Sequence, residues 1–171
     1  MQTKFSGNIT EPITLAEAKA YLKVGYDNDD DIITSMITAT REHVEAFTHR
    51  SLVAKTIEMF LSYVPDEIAL PYPDHDTITE VKINGTVSTA YTKTGLNQFI
   101  IKPTLITTLD DTDESGFYVK YTTLATCPNW VKIEMLKSID EKYRNRGNTF
   151  EGSITDLSEN TYSNLAQYCL M

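Results

Sequence analysis

Residues 27–52 constrain the fold more than any other stretch of the chain. Ile32, Ile33, Met36, Ile37, Thr40, Val44 and Phe47 recur at helical spacing over about five turns. Asp27, Asn28, Asp29, Asp30 and Asp31 stand ahead of this run and within its first turn, where negative charge complements the positive end of the helix dipole. His49 and Arg50 stand at the far end, where cations are favoured. A helix of this length with an apolar side has to bury that side against other elements.

Two further helices are legible. Thr14 and Glu17 have the spacing of a capping box, with Pro12 favouring an extended entry. Leu15, Ala18 and Leu22 then form one short apolar stripe, and Gly25 is the expected stop after Val24. Another helix is expected from Pro128, with Trp130, Ile133, Leu136, Ile139 and Tyr143 every three or four residues. Lys142, Arg144 and Arg146 suit its carboxyl end, and Gly147 closes it.

Between these helices the pattern is that of strands. Lys55–Leu61 partly alternates apolar and polar residues, and Thr79–Ile83 and Thr86–Ser88 flank Asn84-Gly85, a strong hairpin signal. Phe99–Ile101 and Phe117–Tyr121 add two more strands, while Leu70-Pro71-Tyr72-Pro73 is restricted to an edge or an extended linker. The expected fold class is therefore α+β. A small bundle of three main helices (residues 1–52 and 125–147) carries an antiparallel β insertion of five or six strands (53–124) between helices 2 and 3. An extended C-terminal arm (148–171) follows. The arm has no lysine or arginine, yet Phe150, Ile154, Leu157, Tyr162, Leu165, Tyr168 and Leu170 are scattered through it. That is too apolar for an inert tail, and it reads as an arm that folds against something else.

Composition removes several functions. At 41% hydrophobic and 23% charged residues the chain is ordinary globular protein rather than disordered. Twenty-four acidic residues against fifteen basic give a net charge of −9, which repels phosphate and argues against gripping nucleic acid over a broad face. It leaves room for DNA to pass without being held. No run of eighteen apolar residues is present, and the first residues lead into no apolar signal region. Two cysteines, Cys127 and Cys169, are too few for a disulfide framework or an all-cysteine zinc site. A soluble protein of a reducing compartment is expected.

No catalytic, cofactor or metal residue emerges. Asp27, Asn28 and Asp29 resemble the opening of an EF-hand loop, but the sixth and twelfth positions hold Ile32 and Thr38 instead of glycine and glutamate. Asp111, Asp113 and Ser115 with Gly116 fit the first half of such a loop better, yet its twelfth position is Thr122. A solvated helix start and a polar inter-strand loop explain both. His43 and His49 are about 240° apart around one helix and cannot share a metal, and His75 reads as a solvated loop residue. The seven glycines are unclustered, which removes P-loops, dinucleotide fingerprints and the nucleophile elbow. Ten tyrosines suit protein interfaces, each carrying an apolar ring with a polar tip.

Taken in order, Glu11-Pro12-Ile13-Thr14-Leu15-Ala16-Glu17-Ala18-Lys19, the acidic turn, and the exit Phe47-Thr48-His49-Arg50-Ser51-Leu52 resemble the head–tail connector, or adaptor, proteins of tailed bacteriophages. The resemblance is clearest over residues 11–61. It implies a virion structural protein at the head–tail interface, assembled in the host cytoplasm as a homo-oligomeric ring of typically twelve copies. The ring would bind the portal protein on one side and a tail-side stopper or tail protein on the other. The arm residues Phe150, Ile154, Leu157, Tyr162, Leu165, Tyr168 and Leu170 become portal-docking candidates by position. DNA would pass through without specific binding, and an acidic lining repels phosphate. Glu17, Glu42 and Glu45 are the helix-borne candidates for that lining. Two other readings remain at this stage: a tail-side stopper or completion protein, and a small acidic metal-dependent enzyme using carboxylates among Asp110–Glu114.

Overall fold

The computed structural model describes residues 2–7, 9–63, 68–72, 75–89, 91–94, 100–103, 116–145 and 159–169. Its contacts divide the chain into a β unit, Met1–Ile9 with Val53–Ala125, and a helical unit, Thr10–Leu52 with Thr126–Met171.

In the helical unit, α1 (Leu15–Leu22) opens on the expected capping box. The Glu17 amide donates to Thr14 Oγ1 at 3.2 Å, and the Thr14 amide donates to Glu17 Oε2 at 2.7 Å. The helix stops at Lys23, which takes the left-handed conformation at φ 58° and lets the Val24 amide reach the Lys19 carbonyl. Gly25 is therefore not the stop, because a lysine already supplies the left-handed residue. The long helix α2 (Asp30–Thr48) buries Ile33, Ile37, Thr40, Arg41, Val44, Glu45 and Thr48 along one side and ends at His49, also left-handed. Helix α3 (Asn129–Arg144) buries Val131, Met135, Ile139 and Tyr143. Ile13, Ala18, Leu52 and Leu165 complete the apolar core with Ile33, Ile37 and Val44.

Two details differ from the sequence expectation. Trp130 and Ile133 are 40% and 49% exposed, so α3 is rotated to bury Val131 and Met135 instead. Both choices have helical spacing, and packing decides between them. Residues Glu159–Ala166, part of the segment expected to be extended, form helix α4. Leu165 on this helix is fully buried in the core of the helical unit.

The β unit holds eight strands among the described residues. They are β1 (Gln2–Ser6), β2 (Thr56–Leu61), β3 (Ile68–Ala69), β4 (His75–Ile83), β5 (Thr86–Val87), β6 (Tyr91–Thr94), β7 (Ile100–Pro103) and β8 (Phe117–Thr123). A five-stranded antiparallel sheet runs β1-β2-β8-β4-β5 and a three-stranded one runs β3-β7-β6. Strict alternation on β2 and β8 puts Ile57, Met59 and Leu61 beside Tyr121, Val119 and Phe117 on the buried face, with Val81 of β4 next to them. Asn84 and Gly85 both have positive φ, as the tight β4–β5 hairpin requires.

Strand β1 lies where the sequence reading placed the helical core. Its residues lack an alternating apolar pattern and become a strand through pairing with Ser6 opposite Thr56 and Gln2 opposite Phe60. Gly116, entering β8, has φ +148°, and an added Cβ would stand 2.2 Å from the Leu61 carbonyl oxygen. Only glycine fits that approach.

Candidate interaction site

The carboxyl end of α2 organises the helical unit. Arg41, at the phase of the apolar side, is 3% exposed. Its Nε donates to Glu11 Oε2 at 2.9 Å, Nη1 to Glu45 Oε2 at 2.7 Å, and Nη2 to Glu42 Oε1 at 3.3 Å. Desolvation is the largest single influence on the guanidinium and disfavours its charge. Glu11 and Glu45 together outweigh it, so the pKa lies above the ordinary arginine value. Glu45 Oε1 in turn accepts from the Leu52 amide at 2.8 Å and the Ser51 hydroxyl at 3.3 Å. One carboxylate thus neutralises a buried cation and ties down the chain as it leaves α2.

Arg50, one residue past the left-handed His49, points at the C-terminal segment. Its Nε donates to the Tyr168 carbonyl at 2.8 Å, and its guanidinium lies 4.8 Å from the Tyr168 ring centre. Tyr168 donates to the Thr126 carbonyl at 3.0 Å and meets Trp130 edge-on at 5.5 Å. Tyr162 pairs with His43 Nε2 at 3.2 Å and with the Phe47 ring at 4.9 Å. Asn164 donates to Glu134 Oε1 at 3.0 Å, and Cys169 Sγ to the Phe47 carbonyl at 3.5 Å.

The acidic turn is knitted into the same unit. Lys19 Nζ lies 2.7 Å from Asp27 and 2.6 Å from Asp30, and Tyr143 donates to Asp29 Oδ2. These carboxylates tie α1, α2 and α3 together. Among the described residues no group of three or more histidine, cysteine, aspartate or glutamate side chains is arranged to hold a metal. Asp110–Glu114 and the side chain of His75 lie outside the described residues.

The candidate lining residues separate. Glu42 is exposed, with its carboxylate on the rim of the Arg41 network. Glu17 is exposed, and the hydrogen bonds from Thr14, its backbone amide first, hold its carboxyl below the usual glutamate range. Glu45 is 2% exposed. Its carboxylate is turned to Arg41, the Leu52 amide and Ser51, not to the surface as a lining residue would be. Of the arm residues, Tyr162, Leu165 and Tyr168 contact their own chain as described, while Phe150, Ile154, Leu157 and Leu170 lie outside the described residues.

The β unit presents a different surface. On the outer face of its large sheet, Lys4, Glu58, Lys120 and Glu80 stand side by side across four strands, with Lys120 Nζ 2.9 Å from Glu58. The neighbouring row is Gln2, Phe60, Tyr118 and Lys82. A shallow hollow of about 220 Å³ lies over β1, β2 and β8, lined by Gln2, Lys4, Glu58, Phe60 and Tyr118 among others.

The segment from Pro12 through α1, the acidic turn, α2 and into the β unit matches a known family: the model for phage gp6-like head-tail connector proteins covers residues 12–98. The chain belongs to that family. Solved structures share its fold. A chain in the neck of an empty gene transfer agent (GTA) particle, determined with C6 symmetry, is 13% identical at a TM-score of 0.77, covering all of this chain and 96% of that one. A chain in the virion of a native GTA particle is 13% identical at 0.73, with the same coverage. One in the neck of a native GTA particle, determined with C12 symmetry, is 12% identical at 0.64, covering 96% of each. No curated protein sequence matches the chain.

In this connector family member the helix-exit residues Thr48, Arg50, Ser51 and Leu52 are packing elements. Thr48 bonds back to the Val44 carbonyl, Arg50 holds Tyr168, Ser51 reaches Glu45, and Leu52 enters the core. The Arg41–Glu11–Glu45 network escaped the sequence reading. Its signal was a charged pair, four residues apart, on the apolar side of α2.

Proposed function

We propose that the chain is a subunit of the head–tail connector in the neck of a phage-like virion, forming a homo-oligomeric ring that joins the portal to tail-side proteins. Family membership over residues 12–98 carries this reading. The fold shared along the whole chain with neck proteins, two of them from C6 and C12 determinations, supports it. A ring subunit requires a rigid body and adhesive surfaces, and its role is assembly rather than catalysis. The exposed aromatics Trp130, Tyr21 and Tyr26 and the charged sheet face of the β unit supply such surfaces.

DNA passes through the ring without being bound, and Glu17 and Glu42 are the carboxylates proposed to face its path. At a net charge of −9 the subunit repels phosphate over most orientations. Portal docking falls to the C-terminal segment. For Tyr162, Leu165 and Tyr168 it requires exchange of their contacts within the chain.

The test is native mass measurement of the chain mixed with the portal protein of the same virus. Twelve bound copies of a 19.3 kDa chain would add about 232 kDa and place the ring on the portal. Absence of association between folded partners would refute portal binding and favour a tail-side stopper.

A further inference from the structure

Helix α4 and the turn after it are held to the helical unit by few buried side chains and several partly exposed contacts. An eight-residue helix is far too short to persist alone in water, so α4 exists through docking. Among the described side chains from Thr161 onward, only Thr161 and Leu165 are buried, while Ser163, Asn164, Ala166 and Gln167 are exposed. The other attachments are polar or aromatic and half-buried or exposed: Tyr162 on His43 and Phe47, Asn164 on Glu134, Tyr168 on Arg50, Thr126 and Trp130, and Cys169 on Phe47. Water can replace each of these hydrogen bonds when the segment leaves.

The interface of α2 with its neighbours is of another kind. Ile33, Ile37, Val44, Val131, Met135 and Ile139 are all buried in it. Undocking α4 would cost the buried Leu165 and Thr161 and the half-buried Tyr162 and Tyr168 rings, and would leave the six residues between α2 and α3 packed on one another. Local opening free energies follow this kind of disparity in buried apolar contact.

We propose that residues 159–169 form a reversible strap, which leaves and re-enters its groove on α2 and α3 as one unit while α1, α2 and α3 stay folded. Opening uncovers the half-buried Phe47, Arg50 and His43 beside the already exposed Trp130. That is an aromatic and cationic strip on an otherwise acidic chain, made of the residue types that dominate binding interfaces. The strap is the groove's own occupant, and its release is what frees Tyr162, Leu165 and Tyr168 for any other contact. The inference concerns the isolated chain, so it stands or falls independently of the connector reading.

Hydrogen exchange on the intact chain, read by peptide, tests it. Amides of 162–168 should exchange at least tenfold faster than those of 37–48 under native conditions. Leu165→Ala should abolish the remaining protection of 162–168 and leave that of 37–48 within twofold. Equal rates in the two segments, or loss of protection in α2 along with α4, would overturn the strap. If Leu165→Ala does not fold, Tyr168→Ala serves as the second variant, with Trp130, the chain's single tryptophan, as the reporter. Under increasing urea its fluorescence in the parent chain should change before the helical circular dichroism is lost. Coincident transitions would refute independent opening.

Discussion

Removing the Glu45 carboxylate is the sharpest perturbation of the helical unit. Glu45 and Arg41 are 2% and 3% exposed and lie 2.7 Å apart, so neither charge has water to fall back on. A buried pair gains little over apolar residues of equal size, because desolvation offsets its attraction. Breaking one is a different matter. In Glu45→Ala, Arg41 would keep Glu11 at 2.9 Å and the more distant, exposed Glu42, and the Leu52 amide would lose its acceptor. Because Glu11 remains, the expected loss lies below that of a fully orphaned buried charge, at about 2–3 kcal/mol, roughly 4–12 °C in unfolding midpoint for a chain of this length. Trp130 belongs to the helical unit, so its fluorescence during thermal or urea unfolding follows the unit that carries the change. Glu45→Gln separates the two roles, since its side-chain carbonyl can still accept from Leu52 while the charge is gone. It should fall between the parent and Glu45→Ala. A Glu45→Ala chain within about 1 kcal/mol of the parent would refute the argument that this pair is needed to neutralise a buried cation.

Gly116→Ala would drive a methyl group into the Leu61 carbonyl at a φ that side chains rarely adopt, and should cost at least about 3 kcal/mol; urea unfolding followed by exchange of the β8 amides measures it, and an unchanged midpoint would contradict the contact. Ser138 Oγ is buried without a hydrogen-bond partner among the described residues, so Ser138→Ala should leave stability unchanged or raise it by up to about 1 kcal/mol, and a loss of that size would show a missed partner. The folded-state pKa of Glu17 is lowered, chiefly by the Thr14 amide, below its ordinary 4.5. Its contribution is therefore complete above that pH and lost as pH falls through the folded value. The unfolding midpoint of Glu17→Gln should drop less between pH 5.5 and 3 than that of the parent; parallel curves would remove the capping box as a source of acid sensitivity.

What was legible in the sequence was local. Thr14 and Glu17 announce their capping box because both partners lie within one turn, α2 announces itself by its own periodicity, and Asn84-Gly85 prescribes positive φ at both turn residues. These signals also carried the family resemblance, and the residues of the helix exit turned out to be the ones that tie α2 to the rest of its unit. The candidate lining set was legible only in part. Three glutamates on helices look alike in a sequence, and whether one faces water or an arginine depends on which side the helix buries.

The sequence by itself determined helices α1 to α3, the α+β order with its β segment between α2 and α3, the acidic balance and the connector family. Tertiary structure alone decided the rest. Gln2–Ser6 became a strand because β2 offered its edge, a partner some fifty residues away. Trp130 and Ile133 were left outside because Val131 and Met135 filled the core from the same helix. Glu45 was taken inside by Arg41, and α4 formed because Leu165 found a place in the core. Each of these outcomes rests on a contact between residues whose separation along the chain, or whose phase on a helix, leaves their energies equal until the chain has folded.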